Sequence, residues 1–190
     1  MPITYRLEDE ILPVSVPVPA REGILEQAVH TRTSARLAAV QALYQVAMTG
    51  RPAATVVDEF LEHRLGNVDQ ELGDAGIGQA DEGLFCAVAL GAARDLDAID
   101  TLIVGALTKD WSFDRLESTL VAILRVGTHE LLSHGETPRA VVIDEYVNVA
   151  NAFYDAKGTG LVNGVLDRIA RLVRKDEVRI KETKNDLKGA

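Results

Sequence analysis

Between Thr33 and Arg174 the apolar residues recur every three to four positions, and the strict alternation of a half-buried strand is nearly absent. That pattern confines the chain to helix packed on helix. Leu37, Gln41, Tyr44 and Met48 share one stripe among alanines of high helix propensity, which predicts a first helix starting at Thr33. Gly50 and Pro52 end it and open a second helix that runs to about Leu65, with Gly66 suited to the position just past its end. Residues 67–79 are glycine-rich, acidic and aperiodic, and read as a loop.

A third helix opens on Asp81 and Glu82, whose charge complements the helix dipole, and carries Leu84, Phe85, Val88 and Leu90. A fourth covers about Leu96 to Lys109. Ser112 reads as the N-cap of a fifth, with Leu116, Leu120, Ile123, Leu124, Gly127 and Leu131 on one stripe. Gly127 inside that stripe predicts a close helix crossing. Thr137-Pro138 starts the next helix, with Val142, Tyr146, Val149 and Phe153 as its buried side. Ala156 to Gly160 reads as a turn, and Thr159 as the cap of a last helix burying Val162, Val165, Leu166, Ile169 and Val173.

The expected fold is therefore an all-α bundle of about seven helices. Residues 32–175 form the domain. Residues 1–31 are expected to be a flexible arm, because Pro13, Pro17 and Pro19 deny helix there. Residues 176–190 are charged, poor in apolar residues and expected to fray.

Charge and cysteine usage narrow the function. The 190 residues carry 20 Lys+Arg against 29 Asp+Glu, a formal net charge of −9, which argues against indiscriminate coating of DNA or anionic membrane. Eight acids and one base fall between Thr55 and Glu82, whereas the stretch around His30, Arg32 and Arg36 is acid-free. The single cysteine, Cys86, rules out a disulfide framework and sits among apolar neighbours as a small hydrophobe. No apolar run reaches the ~18–20 residues of a membrane span, and no leader pattern opens the chain. A soluble protein of the cytoplasm is expected.

Motifs for chemistry fail on inspection. His129 and His134 are five residues apart, roughly 140° around a helix, and so do not face one metal ion as an i, i+4 pair does. Lys157-Gly158-Thr159-Gly160 has its lysine ahead of the glycines and no preceding strand, so it is not a phosphate loop. No Ser-His-Asp or Cys-His set can be placed from spacing. The expectation is a protein that is not an enzyme and uses no cofactor and no metal.

Arg32 and Arg36 are four apart, hence on one helix face, and a helix that starts at Thr33 puts both at its N-terminus. Cations are unfavourable there unless an anion compensates them, and RNA phosphate is one such anion.

Ala35-Arg36 followed by Val40-Gln41-Ala42-Leu43-Tyr44 resembles the first-helix signature of the NusB family of bacterial transcription antitermination factors. Ile123-Leu124-Arg125, Glu130-Leu131, Pro138, Val142-Ile143-Asp144-Glu145 and Val162-Asn163-Gly164-Val165-Leu166-Asp167 follow in the family's order, over about Arg32 to Arg174. The resemblance implies an all-helical fold in two small subdomains. It implies binding of boxA RNA together with the ribosomal protein NusE, in a complex that carries RNA polymerase past terminators, notably in ribosomal RNA operons. It implies that the arginine-bearing start of the first helix contacts RNA, which falls here on Arg32 and Arg36 with Thr33 between them. Lys157 stands in a turn that is often acidic in the family and is expected to meet phosphate. Arg125 and Glu130 are read as members of structural ion pairs.

Two other readings are open at this stage. One is the related helical domain that precedes the catalytic module of ribosomal RNA cytosine methyltransferases, an enzyme that needs an α/β cofactor domain and a cysteine nucleophile. The other is a homodimeric interaction module without RNA binding.

Overall fold

The computed structural model describes residues 21–65 and 79–175. Among them are seven α-helices: α1 (Arg21–Thr49), α2 (Ala53–His63), α3 (Glu82–Arg94), α4 (Leu96–Ala106), α5 (Ser118–Ser133), α6 (Arg139–Asn151) and α7 (Ala156–Val173). One 3-10 turn, Phe113–Arg115, lies between α4 and α5. The expected all-α bundle of about seven helices is borne out. The arm as far as residue 20, the acidic stretch at 67–78 and the tail at 176–190 lie outside the described residues.

Helices α1, α2 and α3 pack on one another as one set, and α4 to α7 as a second. α5 touches both, so the two small subdomains share a continuous core that includes Phe60, Phe85, Ile103, Ile123, Leu124 and Leu166. The Phe60 and Phe85 rings stack at 5.8 Å between centroids.

Local signals explain most boundaries. Gly50 has φ 66° just past the end of α1, a left-handed conformation that glycine takes without a Cβ penalty. Asp81 is the N-cap of α3 and accepts a hydrogen bond from the Leu84 amide at 2.9 Å. At Gly127 an added Cβ would lie 3.0 Å from Leu166 Cδ1 and 3.1 Å from Tyr146 Cδ2, so the expected close crossing is there, against α7 and α6.

Five sequence expectations are corrected. α1 begins at Arg21 rather than Thr33, because good helix formers continue upstream until Pro19. Its buried face is not the Leu37/Gln41/Tyr44/Met48 stripe. Ala35, Ala38, Ala39 and Ala42 are buried instead, and Met48 is 53% exposed. Small side chains on that face let α3 and α5 approach closely, which favours the alanines at the crossing. Ser112 precedes the 3-10 turn without a side-chain cap, and α5 starts later, at Ser118. Finally, Ala156 to Gly160 is the first turn of α7, not a connection. Asp155 caps it by accepting from the Lys157 and Gly158 amides, while Thr159 Oγ1 donates back to the Asp155 carbonyl. Phe153 falls beyond the end of α6 and is 50% exposed.

Candidate nucleic-acid interface

The longer α1 changes the electrostatics of the proposed corner. Arg32 and Arg36 lie eleven and fifteen residues inside the helix, where the dipole exerts little force, so the N-terminal cation argument does not hold. What fixes these two side chains is their packing against α5 and α6.

Arg36 is 2% exposed and Glu130 is fully buried. Arg36 Nη2 donates to Glu130 Oε1 at 2.6 Å, and its Nε donates to both carboxylate oxygens at 3.0 and 3.2 Å. Arg36 Nη1 also lies 3.3 Å from Glu145 Oε2. Tyr146 donates its hydroxyl proton to Glu130 Oε2 at 2.7 Å. Burial is the strongest single influence on Arg36 and favours losing the proton. The hydrogen bond and charge of Glu130 outweigh it, so the guanidinium pKa is raised. Burial, followed by the charge of Glu130, pushes the Tyr146 hydroxyl well above its usual value. Arg36, expected from the sequence to contact RNA, is buried within this network. Its donors are committed to internal carboxylates, and exposing it to a phosphate would strand Glu130 as an uncompensated buried charge.

Arg32 differs. It is half-buried, donates from Nη2 to Thr137 Oγ1 at a long 3.4 Å, and its Nε has no hydrogen-bond partner. Thr33 Oγ1 donates to Glu145 Oε2 at 2.8 Å. Glu145 thus joins Thr33 to the Arg36 network, and Arg32 is held at its edge. Glu136, close enough to feel Arg32, has its carboxyl held low first by its own backbone amide and then by His134.

The floor beneath Arg32 is built from the far end of α7. Arg174 donates to the carbonyls of Glu130, Leu131, His134 and Thr137 at 2.5 to 2.9 Å. Those carbonyls lie at the end of α5 and in the turn to α6, where Glu130 and His134 also accept from the backbone amides of His134 and Thr137. One guanidinium thereby fixes the turn whose Thr137 side chain receives Arg32.

Lys157 is exposed in the first turn of α7, with Nζ 5.1 Å from the centroid of the Trp111 ring. From Lys157 to Arg174 the helical rise of about 1.5 Å per residue separates the two positions by about 25 Å. The structure brings Arg32, Thr33 and Arg36 together and places Lys157 apart from them. Sequence reasoning missed Glu145, Thr137 and Arg174. Glu145 was part of a quoted motif, but only the fold shows which arginine and threonine it serves.

Arg125, expected to be structural, makes a two-pronged ion pair with Asp100 at 2.8 and 2.6 Å, tying α5 to α4. His129 is buried where α3 crosses α5, with Gly91 against its ring and Nδ1 3.5 Å from Asp95 Oδ2. His134 Nδ1 lies 3.0 Å from Glu136 Oε1, and its ring stands edge-on to that of His129 with 6.4 Å between centroids. Cys86 is half-buried, and burial followed by the charges of Glu82 and Asp58 raises its thiol pKa, opposite to what a reactive thiolate needs. Among the described residues no group of three His, Cys, Asp or Glu is arranged to hold a metal ion. Among them, too, no helix is long and apolar enough to cross a membrane.

Comparison with known proteins supplies the context for this surface. The NusB family model matches residues 33–171. The chain is 48% identical over 145 residues to the transcription antitermination protein NusB of Rhizobium etli (strain CIAT 652), covering 76% of this chain and 89% of that protein. It is 43% identical over 145 residues to that of Sphingopyxis alaskensis, covering 76% and 95%. Among solved structures it is similar to T. maritima NusB, with a TM-score of 0.60, 29% identity, and 78% and 96% of the two chains covered. A chain of a complex of the antitermination factors NusB and NusE with double-stranded RNA has the same fold. Its TM-score is 0.58 at 24% identity, with 74% and 96% covered.

Proposed function

The chain belongs to the NusB family, and on that premise we propose that it is a cytoplasmic, non-enzymatic transcription antitermination factor. In this reading it binds boxA RNA together with NusE and acts on the RNA polymerase elongation complex, notably in ribosomal RNA operons. The relatives' shared name supports the activity, and the NusB–NusE–RNA complex supports the kind of partners.

The observation that carries the site is the contrast between the two arginines. Arg36 is locked against Glu130, and Arg32, one turn earlier and half-buried, has a buried Nε without a hydrogen-bond partner and an Nη2 only weakly engaged with Thr137. Arg36 is a positioning residue in this account: it anchors α1 on α5 so that Arg32 projects at a fixed place. Arg32 supplies the phosphate contact, Thr33 ties Glu145 of α6 to α1 beside it, and Lys157 supplies a second cation at the other end of α7.

The test is a titration of boxA-type RNA with NusE present, comparing Arg32→Ala and Lys157→Gln with the wild type across salt. Each variant is expected to bind more weakly and to flatten the log K against log salt slope by about 0.7, the value for one phosphate contact on a single strand. Unchanged affinity and slope in both variants would overturn the site.

A further inference from the structure

Away from the Arg32 corner, the neighbourhood of Trp111 has the chemistry of a nucleobase site. Trp111 is the only tryptophan of the chain and lies between α4 and the 3-10 turn. It is half-buried and forms a wall shared by two clefts. One, of about 540 Å³, runs along the outer face of α7 from Lys157 to Arg168. The other, of about 430 Å³, lies against Lys109 and Phe113. Volumes of this size lie in the range of ordinary small-ligand sites.

Three further features restrict what such a cleft accepts. On the α7 wall, Gly160 and Gly164 are one turn apart, and a Cβ built at either would meet nothing within 4 Å. The wall is bare backbone there, so a flat ring can slide in beside the indole. Lys157 already places a cation over the indole face, 5.1 Å from its centroid. In a chain of net charge −9, the two clefts are lined by three cations, Lys109, Lys157 and Arg168, against two acids, Asp110 and Asp114. An aromatic face with flanking cations suits sequence-tolerant stacking of a base beside its phosphate.

We propose that Trp111 is a stacking platform for an unpaired base of the bound RNA, with Lys157 at the adjoining phosphate. This rests on the RNA-binding reading above, and the two fail differently in one experiment.

Because Trp111 is the only tryptophan, its emission reports this cleft alone. A labelled short boxA-type RNA is titrated into the wild-type protein at low salt. Anisotropy of the label follows binding, and tryptophan emission and its quenching by acrylamide follow the cleft. The expected result is that emission falls and acrylamide access is lost along the same curve as the anisotropy. Free AMP and UMP at matched nucleotide concentration are expected to leave the emission unchanged. Trp111→Phe, which keeps an aromatic face, is expected to bind within about twofold of wild type, and Trp111→Ala to lose at least about fivefold. RNA that binds by anisotropy while emission and acrylamide access stay constant overturns the stacking site and leaves the RNA reading standing. Equal quenching by free mononucleotides overturns it in favour of a nucleotide pocket. No anisotropy change at low salt overturns both. The wild-type measurement needs no variant to fold, and thermal melts of the two variants separate lost structure from lost stacking.

Discussion

Replacing Arg36 by methionine separates a structural arginine from an RNA ligand. The substitution removes three hydrogen bonds of 2.6 to 3.2 Å to a carboxylate that has no exposure to water. It leaves the Tyr146 hydroxyl as Glu130's remaining hydrogen-bond donor among the side chains described around it. Breaking a buried pair from one side costs about 3–5 kcal/mol, because the partner's charge stays buried without compensation. In a domain of this size each kcal/mol moves the midpoint of thermal unfolding by about 2–4 °C, so Arg36→Met is expected to lower it by roughly 6–20 °C. The double variant Arg36→Met/Glu130→Gln removes both charges and leaves the Tyr146 hydroxyl an acceptor, and is expected to recover more than half of the loss. The assay is chemical or thermal unfolding followed by circular dichroism, set out as a double-mutant cycle. A loss below about 1 kcal/mol, or strict additivity of the two single changes, would refute the reasoning. So would an unchanged unfolding midpoint accompanied by weakened RNA binding, the behaviour of a surface contact.

Two other outcomes follow from the packing around α5. His129 is buried, and burial, the leading influence, lowers its pKa against the opposing pull of Asp95, with His134 and Arg94 also lowering it. The unfolded chain then binds a proton that the folded chain refuses, so stability is expected to fall as pH drops below the ordinary histidine value of about 6.5. Urea unfolding at several pH values checks this, and His129→Gln showing the same pH slope as wild type would contradict it. Gly91→Ala is expected to destabilise despite alanine's better helix propensity, because the new Cβ would sit 2.0 Å from His129 Nε2. A stabilised Gly91→Ala protein in the same unfolding assay would mean that the α3–α5 crossing is looser than described.

How much the sequence revealed depended on whether the deciding interaction was local. Gly50, Pro52 and Gly127 were legible because a turn or a close approach is written into one residue and its neighbours, while Asp81, read as a first-turn acid of α3, is its N-cap. The start of α1 was not, since no proline falls between Pro19 and Thr33 and the apolar rhythm becomes clear only later. Its inward face misled for a related reason. Periodicity weights large side chains, while the crossing with α3 and α5 selects the small alanines. The cap of α7 was placed at Thr159 although Asp155, one turn earlier, had the stronger acceptor.

The site was legible in position but not in role. Arg32 and Arg36 look alike as letters, and the residue that separates their fates, Glu130, is 94 positions from Arg36. Arg174 and Thr137 left no signal, because an arginine bonded to main-chain carbonyls needs no partner of recognisable type. Trp111 belongs to no periodic stripe, and the larger of its two clefts exists only once α7 lies beside the end of α4.

The most direct measurement is the binding of a short boxA-type RNA and a scrambled RNA of equal length, at two salt concentrations, with and without NusE. The account predicts that boxA RNA binds more tightly than the scrambled strand, that added NusE tightens it further, and that affinity falls as salt rises because phosphate contacts release counterions. Equal affinity for both strands with NusE present, or binding indifferent to salt, would contradict it.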